Sequence, residues 1–122
     1  MLNTSSKSIR PFIGSKDFEI SRAFYREMGF EEVLLPPKMA LFKKGDFGFY
    51  LQDAYVKDWV DNTMIFLEVE NLEAHLKHIQ SLNLPQRFKG VRVSELVHDD
   101  WGSEYFVHDP SGILWHIGTF KK

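Results

Sequence analysis

No cysteine occurs among the 122 residues, which excludes a disulfide framework, a thiolate metal site and a cysteine nucleophile together. A dominant charge is also missing. Fifteen basic residues face 17 acidic ones for a net charge of −2, and the lysines at 38, 43, 44, 57, 77 and 89 are scattered. Without a basic stripe, no nucleic-acid partner is expected. No apolar run approaches the roughly 20 residues that span a bilayer. Residues 1–8 are polar and lack the apolar centre of a secretion signal, so a cytoplasmic protein without membrane association is expected.

What the chain does have is aromatic side chains. Eleven phenylalanines, four tyrosines and three tryptophans exceed what a small core consumes, and the surplus is expected to line a pocket or a subunit interface. The length fits a single domain, residues 1–122.

The pattern of elements runs twice. Ile9 to Ile13 is a short apolar run, Ser15 or Asp17 offers a helix N-cap, and Ile20, Phe24 and Met28 recur every four residues before Gly29. Strands follow at Phe30–Leu35, Met39–Lys43 and Phe47–Gln52. In the second half Met64–Val69 is a strand, Asn71 caps a helix whose apolar face is Leu72, Leu76 and Ile79, and Asn83 takes the place of Gly29. A shift of 54 positions lays Arg10 on Met64, Phe12 on Phe66, Asp17 on Asn71 and Met28 on Leu82. The expectation is α+β: two βαβββ repeats, about 9–56 and 62–120, forming curved mixed sheets around a cup.

The C-terminal stretch is the most specific. Tyr105–Val107 and Ile113–Thr119 read as strands joined by Asp109-Pro110-Ser111-Gly112, where proline sets φ and glycine supplies the left-handed position. Together with Arg10-Pro11-Phe12-Ile13, Phe24-Tyr25, Gly29-Phe30, Asp61-Asn62-Thr63 and Trp101-Gly102-x-Glu104-x-Phe106, this hairpin resembles the vicinal-oxygen-chelate superfamily of glyoxalases, bleomycin-resistance proteins and extradiol dioxygenases. The resemblance is closest to the bleomycin-resistance proteins and runs from about residue 9 to 119.

The resemblance implies a test for a metal. Superfamily enzymes hold a divalent ion with His or Glu at four places, which here carry Arg10, Tyr50, Met64 and His116. Arginine offers no lone pair, methionine is too soft for an oxygen-rich site, and neutral tyrosine is a poor ligand. His116 alone remains, so no metal and no other cofactor is expected. His75 and His78, three apart on the second helix, are expected to be solvated.

Strand alternation places Arg10, Phe12, Gly14, Tyr50, Gln52, Met64, Phe66, Glu68, Leu114 and His116 on the cup side, and Ile65, Leu67, Val69, Trp115 and Ile117 on the core side. Arg10 and Glu68 are expected to form a structural ion pair, the functional alternative being that Arg10 meets an anionic or carbonyl group of a ligand. Trp101, in the Asp99-Asp100-Trp101-Gly102 loop, has no core obligation and is the expected ligand contact, with Phe47 on the same rim and Trp59 a less specific candidate.

The resemblance thus implies a metal-independent protein that sequesters an antibiotic-like or aromatic small molecule in a cleft between two subunits of a homodimer. The candidate contacts are Trp101, Tyr50, Phe66, Met64, Arg10, His116, Glu68 and Phe47. Asp100 stands where the resistance proteins have proline and Ile113 where they have asparagine, and the near-neutral charge is a poor match for cationic bleomycin itself. The alternative is a metal-dependent lyase or oxygenase of the glyoxalase or dioxygenase type. A metal-free acid–base enzyme using His116 with Glu68 or Tyr50 is a third reading.

Overall fold

The computed structural model describes residues 3–121. In chain order the elements are β1 (Phe12–Gly14), α1 (Phe18–Glu27), β2 (Glu31–Leu35), β3 (Met39–Lys44), β4 (Phe47–Gln52) and α2 (Lys57–Asp61), then β5 (Met64–Glu68), α3 (Leu72–Ser81), α4 (Leu84–Arg87), β6 (Arg92–Val93), β7 (Val97–His98), β8 (Gly102–His108) and β9 (Leu114–Phe120). One sheet has the order β1-β4-β3-β2; the other has β5-β9-β8-β6, with β7 also on β8. In each, the first strand of the half lies parallel to the last, and the remaining pairs are antiparallel.

The 54-residue offset holds through the first strand and helix of each half, and the closing strands correspond at a larger offset. Asp17 accepts a hydrogen bond from the Ile20 amide and Asn71 accepts one from Ala74, each closing the first turn of a ten-residue helix. Gly29 and Asn83 follow the two helix ends with φ of 96° and 53°, the left-handed conformation that releases the chain from a helix. Phe12 pairs with Tyr50 as Phe66 pairs with His116.

Three features differ from the sequence reading. The buried stripe of α1 is Ser21, Phe24, Tyr25 and Met28, while Ile20 is exposed. The stripe follows i, i+3, i+4, i+7, and a strict four-residue spacing drifts off it. The short helices α2 and α4 occupy segments without apolar periodicity; Asn83 and a proline in the first turn start α4. The outer strand of the second sheet is split into β6 and β7, both on β8.

Helix-facing residues of both sheets share one core with α1 and α3. Phe30, Phe49 and Trp115 surround Tyr25 with ring centroids 6.0, 4.9 and 5.7 Å away. Edge-to-face contacts of this kind add to the burial of the rings. Outside, Arg22 and Arg26 both hold Glu32, at 2.7 and 3.0 Å, and tie α1 to β2.

Candidate functional site

Alternation gives each sheet a second face turned away from the shared core, with α2 packed only at the β1 end of the first sheet. On the first sheet, Phe12, Tyr50, Leu41 and Val33 form one row across β1, β4, β3 and β2. On the second, Phe66, His116 and Phe106 form the corresponding row across β5, β9 and β8. Phe12 is 56% exposed, Met64 66% and Phe66 42%. The division into cup-side and core-side residues is therefore as the sequence implies: Leu67, Trp115 and Ile117 are buried, and Ile65 and Val69 pack against the core.

A cleft of about 910 Å³ opens beside β5, lined by Pro11, Phe47, Phe49, Phe66, Trp115 and Phe120, with Glu68 on its wall. At its rim Phe66 stacks on Phe120 with centroids 5.5 Å apart, and Trp101 meets Phe66 edge-on at 6.0 Å and Phe120 at 5.4 Å. All three rings keep more than a third of their surface exposed. Phe120 was not among the candidates from sequence. Only the pairing of Gly102 with Phe120 across β8 and β9 brings it beside Trp101.

The eight candidate residues thus fall into groups. Phe47, Phe66 and Glu68 line the cleft, and Trp101 leans on its rim. Tyr50 stacks on Phe12 at 4.7 Å, and Arg10 donates to the Tyr50 hydroxyl at 3.4 Å. Met64 and His116 lie on the open face of the second sheet. Trp59 stands apart on α2, 73% exposed.

The expected Arg10–Glu68 pair does not form. Arg10 turns to Tyr50, its Nε is buried without a partner among the described residues, and Glu68 is exposed. Water solvates an exposed carboxylate, so Glu68 needs no cation. His116 also has a different partner: its Nδ1 lies 2.7 Å from Glu104 Oε1, with the Phe106 ring 5.0 Å away. Glu104 is nine-tenths buried.

Of the helix histidines, His78 is exposed as expected and His75 is not. Nδ1 of His75 is hydrogen-bonded to the Tyr105 hydroxyl at 2.5 Å. Burial first, then the charges of Lys44 and His78, push its pKa down to about 4.

The donor set does not fit a catalytic metal. Of the four places only His116 offers a suitable lone pair, and no group of three or more His, Cys, Asp or Glu side chains converges among the described residues.

Compared with models of protein families and with curated proteins, the sequence finds no match. Solved structures do match. A bleomycin-binding protein complexed with bleomycin superposes with a TM-score of 0.77 at 20% identity, covering 93% of this chain and 98% of that one. The fold is that of the vicinal-oxygen-chelate superfamily. The chain is also similar in structure to an antibiotic-binding protein from a Streptomyces species, with a TM-score of 0.73, 18% identity and 99% of each chain covered. A lactoylglutathione lyase from Agrobacterium tumefaciens gives a TM-score of 0.70 at 18% identity, covering 96% of this chain and 94% of that one. The vicinal-oxygen-chelate frame thus carries both binders and an enzyme, and function must be argued from the site. No helix among the described residues is long and apolar enough to cross a membrane.

Proposed function

We propose that the protein binds a small, partly aromatic molecule without a metal, in a cleft that a second copy of the chain completes. The carrying observation is the exposed trio Phe66, Trp101 and Phe120 at the rim of a 910 Å³ cleft. Three rings in mutual contact, with much of their surface in water, suit stacking against a flat ligand. Metal independence is supported by the chemistry of Arg10, Tyr50 and Met64 at the superfamily's ligand places. The similarity to bleomycin-binding and antibiotic-binding proteins points the same way.

The second copy is supported by the two open sheet faces. Phe12, Met64 and Val33 are 56%, 66% and 37% exposed there, apolar surface that a protein partner could cover.

Titration with planar aromatic compounds, followed by tryptophan fluorescence and thermal shift, tests the reading. A ligand that binds the native state raises stability by RT ln(1 + [L]/Kd). Trp101→Ala is expected to weaken a hit about tenfold or more, and a chelator is expected to leave it unchanged. An unchanged affinity in the variant overturns the placement of the site. Loss of binding on chelation overturns metal independence, and a monomer by sedimentation overturns the shared cleft.

A further inference from the structure

The pair formed by Glu104 and His116 has a chemical direction. The two residues lie diagonally across β8 and β9: His116 pairs with Phe106, and Glu104 pairs with Gly118. Their side chains meet on the open face at 2.7 Å through His116 Nδ1 and Glu104 Oε1. An ionised carboxylate only accepts, so the proton between them resides on Nδ1, and a neutral imidazole then keeps a lone pair on Nε2.

Nε2 has no hydrogen-bond partner among the described residues, although the His116 side chain is only a quarter exposed. The carboxylate is better buried still, with 11% of its side chain exposed. Burying a carboxylate is costly unless it is paired, and His116 is the one side chain that meets this carboxylate among the described residues. The bond therefore serves Glu104 and, in the same stroke, fixes which nitrogen of His116 is left to accept.

Two aromatic side chains neighbour the His116 imidazole. Phe106 stands nearly perpendicular to the imidazole at 76°, and Phe66 is the direct neighbour of His116 on β5. Gly118 keeps the adjoining position low: a Cβ there would lie 2.9 Å from the Phe66 ring and 3.2 Å from Glu104 Cβ. On the far side of Phe106 a hollow of about 420 Å³ is lined by Arg92, Val93, Ser94, His108 and Leu114 as well as Phe106; the pair itself does not line it.

We propose that the Glu104–His116 pair is the polar recognition element of this face. It presents Nε2 as a fixed acceptor for a flat aromatic ligand carrying a hydrogen-bond donor, a phenol or hydroxyarene. The proposal rests on the ligand-binding reading above and names its ligand class. A ligand that covers this acceptor without bringing a donor leaves the lone pair buried and unpaired, so the acceptor discriminates between ligands. A ligand whose polar group only accepts, an ether or an arene carboxylate, meets no donor at Nε2.

Three probes of one shape separate the possibilities: naphthol, methoxynaphthalene and naphthoate, titrated against tryptophan fluorescence at neutral pH. Wild-type protein is expected to bind naphthol about tenfold more tightly than methoxynaphthalene, the ratio one buried hydrogen bond supplies. His116→Phe is expected to abolish that ratio without weakening methoxynaphthalene, which no longer leaves a lone pair unpaired. Glu104→Gln, whose amide can donate or accept and so releases the tautomer, is expected to bring the ratio close to one. His116→Gln serves as a second variant at the same position should the phenylalanine disturb folding.

Equal binding of naphthol and methoxynaphthalene to the wild type overturns the acceptor and leaves the ligand-binding reading standing. So does a preference for naphthoate that His116→Phe removes, since that makes Nε2 a donor. Failure of all three probes to bind, with Trp101 responding to none, overturns the binding reading for flat aromatic ligands and this proposal with it.

Discussion

The Tyr25 hydroxyl donates to Asp109 Oδ2 at 2.6 Å, joining the first helix to the last turn across 84 positions. The other Asp109 oxygen accepts the amides of Ser111, Gly112 and Ile113 at 2.8, 2.8 and 2.9 Å, and Trp115 Nε1 donates to Tyr25 at 2.9 Å. All three side chains are buried. Burial foremost raises the pKa of both Asp109 and Tyr25, so each is held in place by its hydrogen bonds and not by solvent.

Tyr25→Phe removes one donor from a buried carboxylate and one acceptor from a buried indole, while the ring packing survives. The expected loss is about 1–3 kcal/mol, read from urea unfolding with the slope unchanged. A neutral result would show that the turn amides alone satisfy Asp109.

His75 makes stability depend on pH in a definite direction. Its folded pKa lies near 4 against an ordinary 6.5, so the unfolded chain binds more protons between those values. Stability from this group is fully present above pH 6.5 and declines as pH falls toward 4. With the ring only partly buried, the effect is on the order of 1 kcal/mol. Melting temperature measured across this window should flatten in His75→Gln; an unchanged slope would place the sensitivity elsewhere.

Gly118→Ala tests the packing of the open face. The new methyl would sit 2.9 Å from the Ser103 carbonyl as well as from Phe66 Cζ. The ring can swing aside, but the backbone oxygen can move only with β8. A loss of about 1–3 kcal/mol is expected. Phe66→Leu in the same chain should recover only part of it, and full recovery would mean that the strands adjust freely.

How much of this was legible depended on distance along the chain. Caps are local, so Asp17, Asn71 and the left-handed Asn83 were readable from one turn of sequence. Strand alternation is local too, and it separated Phe66 from Leu67 and His116 from Trp115. Partners across strands need register. The Arg10–Glu68 pairing assumed that two polar residues facing the cup would meet, whereas Arg10 lies beside β4 and reaches Tyr50. The Glu104–His116 pair had a usable signal: counting outward from the Asp109–Gly112 turn pairs 106 with 116 and sets 104 diagonal to it. Phe120 follows from the same count. Helices α2 and α4 carried no such signal, being too short to show a period.

The repeated frame also separates what the fold needs from what it leaves free. In β4, β5, β8 and β9 the open-face residues all carry even numbers and the core residues odd ones. Between the two halves, the odd-numbered pair Phe49 and Trp115 stays large and buried, while the even-numbered pair Tyr50 and His116 has changed chemistry. Variation at the even positions other than Gly48, Gly102, Gly118 and Glu104 would therefore alter what the protein meets more than how it folds. A library built on those positions would explore new ligands at little cost in folding yield.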